Sequence, residues 1–286
     1  MTSLRSMIEG PELVVAPVAL NPIMARLAQD AGFQAVYLSG GSLGWLKCVT
    51  EANLTLPELA EVALAIRAAT TLQLVLDAGG GWGDPVHMHR TMALSEAAGF
   101  AALEVEDQFL PRRVHHHIGE ERLIEPEAMV QKIRELIAAR RNPDTLVIAR
   151  TNAIRVAGLD EALRRAELYR AAGADMIFVH TRDPEQMRKI GERLPAPLMI
   201  FAPATGLTGP WPTGWPRSRR RAHQGPTVVT RTAARPRSCR RGRRWSLSSS
   251  RLRSGWPSSA PPVSVARGKR IPGWGRRRSW TPGRWR

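Results

Sequence analysis

Between residues 13 and 201 the chain repeats one pattern: a short apolar run, a polar turn, then a longer stretch rich in Ala, Leu, Glu and Arg. The apolar runs at 13–17, 35–38, 72–77, 101–106, 146–149, 176–180 and 198–201 have the length of buried strands. The stretches between them, 22–31, 57–69, 85–98, 126–141, 159–172 and 184–193, read as helices. Most open on proline (Pro22, Pro57, Pro85, Pro126, Pro184), which costs nothing at the first turn, where the missing N–H has no partner anyway. Three close on an Ala-Gly pair: Ala31-Gly32, Ala98-Gly99 and Ala172-Gly173. Six helices threaded between seven strands predict a parallel α/β sheet with right-handed crossovers. A (β/α)8 TIM-type barrel over residues 1–205 fits best, incomplete at its C-terminal end, although a doubly wound open sheet gives the same one-dimensional pattern.

The pattern stops after Thr205, and charge divides at the same place. Residues 1–205 carry 21 of the 42 Lys and Arg and all 25 Asp and Glu, a net −4; residues 206–286 carry the other 21 bases and no acid, which restores +17. Arg, Pro, Gly, Ser and Trp dominate this tail, and no apolar periodicity persists there, so it cannot bury enough surface to offset its ordering entropy. Disorder is expected. Arg outnumbers Lys twenty to one in it, a bias that reading GC-rich DNA out of frame would produce. On that reading the frame shifts near Gly206, and a last helix, strand and helix of the barrel are lost. A nucleic-acid-binding tail, with Arg on phosphates and Trp on bases, is disfavoured because basic tails normally carry Lys and a motif. Cys48 and Cys239 are too few for a disulfide framework or a four-thiolate zinc site. The first apolar run, interrupted by Pro17 and preceded by Glu9 and Glu12, reads as a strand rather than a signal peptide, so a cytoplasmic chain without a membrane span is expected.

Residues 72–108 hold the densest candidate chemistry. Two apolar runs end on carboxylates, Asp77 on one and Glu104, Glu106 and Asp107 on the other, with a helix between them that Asp84 would cap. Strand, helix, strand is one βαβ unit, and its parallel strands bring Asp77 and Glu106 to the same rim. Paired carboxylates suit a hard cation such as Mg²⁺. Tyr37, within the second run, leads through Leu38 into Ser39, Gly40 and Gly41, whose backbone N–H groups and hydroxyl could meet an anion; a tight turn is the alternative reading. Arg150 ends the fifth run and suits a bidentate grip on a carboxylate, or a structural ion pair with Glu106 or Asp77. His180 ends the sixth, as a substrate contact or a satisfied structural histidine. The insertion 109–123, FLPRRVHHHIGEERL, is placed to cover the mouth, and its histidines, His116 among them, could carry a proton. Arg150, His116 and Tyr37 are thus the candidate catalytic residues.

Five motifs in order, YLSGG at 37–41, LDAGGGWG at 76–83, EDQ at 106–108, PRRVHHH at 111–117 and IARTNA at 148–153, resemble the isocitrate lyase/phosphoenolpyruvate mutase superfamily over about residues 10–205. The resemblance implies a Mg²⁺-dependent barrel enzyme that makes or breaks a C–C or P–C bond beside an enolate in a small α-keto or hydroxy acid. It implies that Ser39, Gly40, Gly41 and Arg150 hold the substrate carboxylate and that Asp77 and Glu106 serve the metal. It also implies a homo-oligomer, built through a terminal helix that the tail does not provide.

Three departures shape the expected activity. The family commonly reads D-A-D-x-G-[YF]-G where this chain has Asp77-Ala78-Gly79-Gly80-Gly81-Trp82-Gly83, so the second metal carboxylate is missing. The K-[KR]-C-G-H of isocitrate and methylisocitrate lyases is matched by Arg112-Arg113-Val114-His115-His116, without a thiol. A common family glutamate after the sixth strand is replaced by His180. Together these point to an oxaloacetate-decarboxylase-like or less familiar lyase branch, the alternatives being a phosphonate-forming mutase and an inactive truncated barrel.

Overall fold

In the computed structural model, residues 2–109 and 122–201 are described in full, and residues 202–203 and 226–231 through their backbone. All seven expected strands form: β1 (Val14–Pro17), β2 (Ala35–Leu38), β3 (Gln73–Asp77), β4 (Ala102–Glu106), β5 (Leu146–Thr151), β6 (Met176–Val179) and β7 (Leu198–Pro203). The six expected helices are α2 (Pro22–Asp30), α4 (Leu56–Ala69), α5 (Met88–Ala97), α6 (Pro126–Ala139), α7 (Ile154–Ala171) and α8 (Pro184–Arg193). Their ends follow local chemistry. Asn21 caps α2 by accepting from the Met24 N–H at 2.9 Å, Glu58 reaches back to the Thr55 N–H at 2.8 Å ahead of α4, and Asp183 accepts from Glu185 N at 2.9 Å ahead of α8. Gly158, at φ 85°, interrupts α7, so its regular part begins where the sequence places it.

Two helices escape the sequence pattern. The six-residue α1 (Leu4–Glu9) sends Leu4 and Ile8 among the residues that begin the strands, and α3 (Gly40–Leu46) is a helix hidden in a glycine-rich stretch.

Strands β2 to β7 run parallel in sequence order, forming a curled six-stranded sheet with helices on its outer side. β1 joins β2 through a parallel bridge between Val18 and Tyr37. A further strand, β8 (Pro226–Arg231), lies antiparallel between β7 and β1. It falls within the tail, where the sequence suggested no element; Thr227, Val228, Val229 and Thr230 are a β-branched run that the tail's composition masks. Its direction is opposite to that of a closing barrel strand. Residues 237–286 lie outside the described residues. Among the described residues no helix is long and apolar enough to cross a membrane.

Alternation along each strand divides the interior in two. Val36, Leu38, Leu74, Leu76, Leu103, Val105, Val147 and Ile177 face the helices and form the larger cluster with Leu59, Met92, Ile133 and Leu163. Tyr37, Val75, Ala102, Ile148, Phe178 and Met199 face inward with Leu4 and Ile8. Two residues further along β3, β4 and β5, this inner face changes from apolar to charged at Asp77, Glu104 and Arg150, and the candidate site begins there.

Candidate functional site

Register lines up the inner charges. Asp77 on β3 is level with Glu104 on β4, and Glu106 on β4 is level with Arg150 on β5. All four are buried. Asp77 and Glu106 lie at the same end of the adjacent parallel strands β3 and β4, and Gly79 links them. The Gly79 N–H donates to Asp77 Oδ1 at 3.2 Å, its carbonyl accepts the Glu106 N–H at 2.8 Å, and a Cβ built on it would lie 3.9 Å from Glu106 Oε1. A side chain at position 79 would therefore enter the space beside Glu106.

Glu104 is the residue the sequence reading left out of the site. Its Oε1 accepts from Arg150 Nη1 at 2.9 Å and its Oε2 from the Tyr37 hydroxyl at 2.8 Å. Burial pushes its carboxyl up to about 7 against the opposing pull of Arg150, and the like charge of Asp77 adds to the rise. Counting back two residues from Glu106 along a strand would have put Glu104 on the same inner face.

Burial also raises the Tyr37 phenol well above its ordinary value, helped by the charges of Asp77 and Glu104, so Tyr37 keeps its proton and donates a hydrogen bond to Glu104. Arg150 is held by more than Glu104. Its Nε reaches Asn152 Oδ1 at 3.1 Å and Glu106 Oε2 at 3.2 Å, and its Nη2 lies 3.3 Å from His180 Nδ1. The guanidinium stands 5.2 Å from the Phe178 ring centre and 5.7 Å from that of Phe201. Burial works against its charge, but Glu104, Tyr37 and Asp77 hold its pKa above the ordinary value.

The Ser39 turn differs from the open anion cradle that glycine chemistry suggests. Gly40 begins α3, and its N–H is one of the donors a helix start leaves unpaired; Asp77 Oδ2 takes it at 3.0 Å. Ser39 Oγ caps the helix by accepting from the Ser42 N–H at 3.2 Å. A cavity beside Gly79 is lined by Gly40, Asp77, Gly79, Leu54, Trp82 and Glu51, the last an acid that the sequence reading did not consider. Lys132, also missed, is buried on α6 and donates to Gly80 O at 2.9 Å, steadying the glycine-rich turn. His116 and the rest of PRRVHHH lie outside the described residues.

Among the described residues no set of three His, Cys, Asp or Glu converges as a metal cluster. Asp77 and Glu106 nonetheless flank the room left at Gly79, and two hard oxygen donors fit Mg²⁺, which commonly keeps several waters.

An α/β sheet that gathers buried carboxylates and an arginine at the C-terminal ends of its parallel strands has the layout of an enzyme active site. The phosphoenolpyruvate phosphomutase family model matches residues 4–210, and the chain belongs to that family, within the isocitrate lyase/phosphoenolpyruvate mutase superfamily. It is 41% identical over 207 residues to 2-methylisocitrate lyase of Aeropyrum pernix, covering 72% of this chain and 66% of that one. It is 36% identical to 2,3-dimethylmalate lyase of Eubacterium barkeri, covering 67% of each. Among solved structures, phosphoenolpyruvate phosphomutase from Streptomyces platensis subsp. rosaceus superposes with a TM-score of 0.65 at 33% identity, covering 69% of this chain and 71% of that one. A phosphonopyruvate hydrolase in complex with oxalate and Mg²⁺ gives 0.63 at 33%, covering 69% and 70%. The chain spans about two thirds of the length of the curated relatives it matches.

Proposed function

We propose that the protein is a Mg²⁺-dependent carbon–carbon lyase acting on a small α-keto or hydroxy acid through an enolate, on an incomplete (β/α)8 barrel. The observation that carries this reading is the meeting of Asp77, Glu106 and Arg150 on one buried rim. Family membership and the lyases among the relatives support it. Asp77 and Glu106 would hold the cation, which when bound would offset negative charge developing on the substrate oxygen.

Arg150 has five N–H donors, of which Glu104, His180 and the Nε partners engage three. Among the described residues one remains on each terminal nitrogen, the number a bidentate carboxylate takes. Gly40 lines the cavity beside Asp77 and Gly79 and, with its neighbours Ser39 and Gly41, would bound the substrate's small end, while His180, beside Arg150, would contact it from β6. Tyr37 acts through Glu104, keeping that carboxylate turned toward Arg150. His116 is the proposed proton carrier. With no thiol in the loop motif, decarboxylation of an oxoacid such as oxaloacetate fits this chain better than methylisocitrate cleavage.

The test is turnover of oxaloacetate by the purified full chain with Mg²⁺, compared with Asp77→Ala and Arg150→Lys. Pyruvate formation that both substitutions abolish is the expected result. Absence of turnover on oxaloacetate and related oxoacids, together with no Mg²⁺ binding, would overturn the reading.

A further inference from the structure

The contacts around the strand-end charges converge on a residue with no role so far, Asn152. Its Nδ2 donates to Glu106 Oε2 at 2.8 Å, and its Oδ1 accepts from Arg150 Nε at 3.1 Å, with His180 Nδ1 also 3.1 Å away. Asn152 is fully buried. Its main chain is fixed from the opposite side of the sheet, where Asp107 Oδ1 accepts the Asn152 N–H at 3.1 Å. Asp107 Oδ2 collects the Thr151 hydroxyl at 2.7 Å, the Tyr169 hydroxyl at 2.8 Å and Arg165 Nη1 at 3.2 Å. Tyr169 and Arg165 come from α7, and Arg165 also donates to Ile124 O at 2.9 Å.

We propose that Asn152 is the positioning residue of this site and that Asp107, backed by Tyr169 and Arg165, is the bracket that sets it. This rests on the reading that Glu106 serves a cation and Arg150 a carboxylate. An amide can donate to a carboxylate and accept from a guanidinium at once. It thereby holds Glu106 and Arg150 beside each other while sharing the Arg150 Nε, which would otherwise turn wholly to Glu106 Oε2 at 3.2 Å. Aspartate at 152 would still accept from Arg150 but would repel Glu106; alanine would release both. Asp107 follows Glu106 in the chain and its N–H donates to Arg150 O at 3.2 Å, but its carboxylate bonds to neither side chain, so a change of that carboxylate reaches the site through the Thr151 hydroxyl and the Asn152 main chain. Displacements of about 1 Å can cost on the order of 100-fold in a preorganised site.

The test is calorimetric titration of Mg²⁺, then of oxalate at saturating Mg²⁺, into the full chain and into Asn152→Asp, Asn152→Ala, Asp107→Asn and Tyr169→Phe, each with a thermal melt. Oxalate serves as a planar dicarboxylate probe of Arg150. The expected result is oxalate affinity at least about tenfold weaker for both Asn152 variants and for Asp107→Asn, and several-fold weaker for Tyr169→Phe. A purely structural role would lower the melting temperature and leave the oxalate affinity of the folded protein unchanged, and that outcome overturns the proposal. Tyr169→Phe removes one of four partners of Asp107 and keeps the question answerable if Asp107→Asn does not fold. If the unaltered chain binds neither Mg²⁺ nor oxalate, the proposed function fails and this inference with it; if it binds both and the variants bind equally well, only this inference fails.

Discussion

Replacing Glu104 by glutamine removes a carboxylate wedged between a phenol and a guanidinium with almost no access to water. Burial, against the opposing pull of Arg150, raises this carboxyl from an ordinary 4.5 to about 7. Over that window the folded protein keeps a proton that the unfolded chain has released, so stability falls as pH rises from 4.5 through 7 and is level beyond. The loss approaches about 1.4 kcal/mol per pH unit and sums to about 3 kcal/mol. Glutamine does not titrate. The unfolding free energy of Glu104→Gln minus that of the unaltered chain should therefore climb by about 3 kcal/mol between pH 4.5 and 8. Urea denaturation of metal-free protein in EDTA at a series of pH values reads this difference directly. A difference that stays flat would show that ion pairing with Arg150 balances the burial. One that falls as pH rises would show that the pairing wins outright.

Three further outcomes are expected. Gly79→Asp should tighten Mg²⁺ binding about tenfold by restoring a carboxylate beside Glu106, while the left-handed φ of 51° costs about 1 kcal/mol in a melt; unchanged Mg²⁺ affinity in calorimetry would rule out position 79 as part of the cation site. Lys132→Met should leave Gly80 O without its donor, lower stability by about 1–3 kcal/mol and weaken Mg²⁺ binding, since the turn carrying Gly79 loses its support. Tyr37→Phe should strip Glu104 Oε2 of its donor at a cost of about 1–3 kcal/mol. Because that hydrogen bond opposes the rise in the Glu104 pKa, the pH window of the denaturation series should move upward.

The strands and long helices were legible because their periods are strong and their ends carry caps, down to Pro126 and the break at Gly158. The placement of Asp77, Glu106, Arg150 and His180 on one rim followed from parallel pairing alone. What stayed hidden depends on partners distant in sequence. Helix α3 reads GGSLGWL, and glycine's poor propensity conceals a helix that Ser39 caps and Asp77 anchors. Helix α1 is too short for a periodic signal, and Leu4 and Ile8 gain their meaning only against Val14 and Met176. Asn152 was given no role within IARTNA, because nothing in that motif reveals that Asp107 grips its backbone from outside. Strand β8 was missed because composition averages over a tail in which the four β-branched residues Thr227 to Thr230 differ from their neighbours.

The change from apolar to ionised residues on the inner side of β4 also governs how that strand can be threaded. Leu103 and Val105 alternate with Glu104 and Glu106, so slipping the pairing with β5 by a single position would thrust two acids among the aliphatic side chains beneath the helices and strand two aliphatics among ions. Misaligned chains are penalised twice over, and the acids that equip the rim for chemistry also discriminate against every neighbouring registry during assembly.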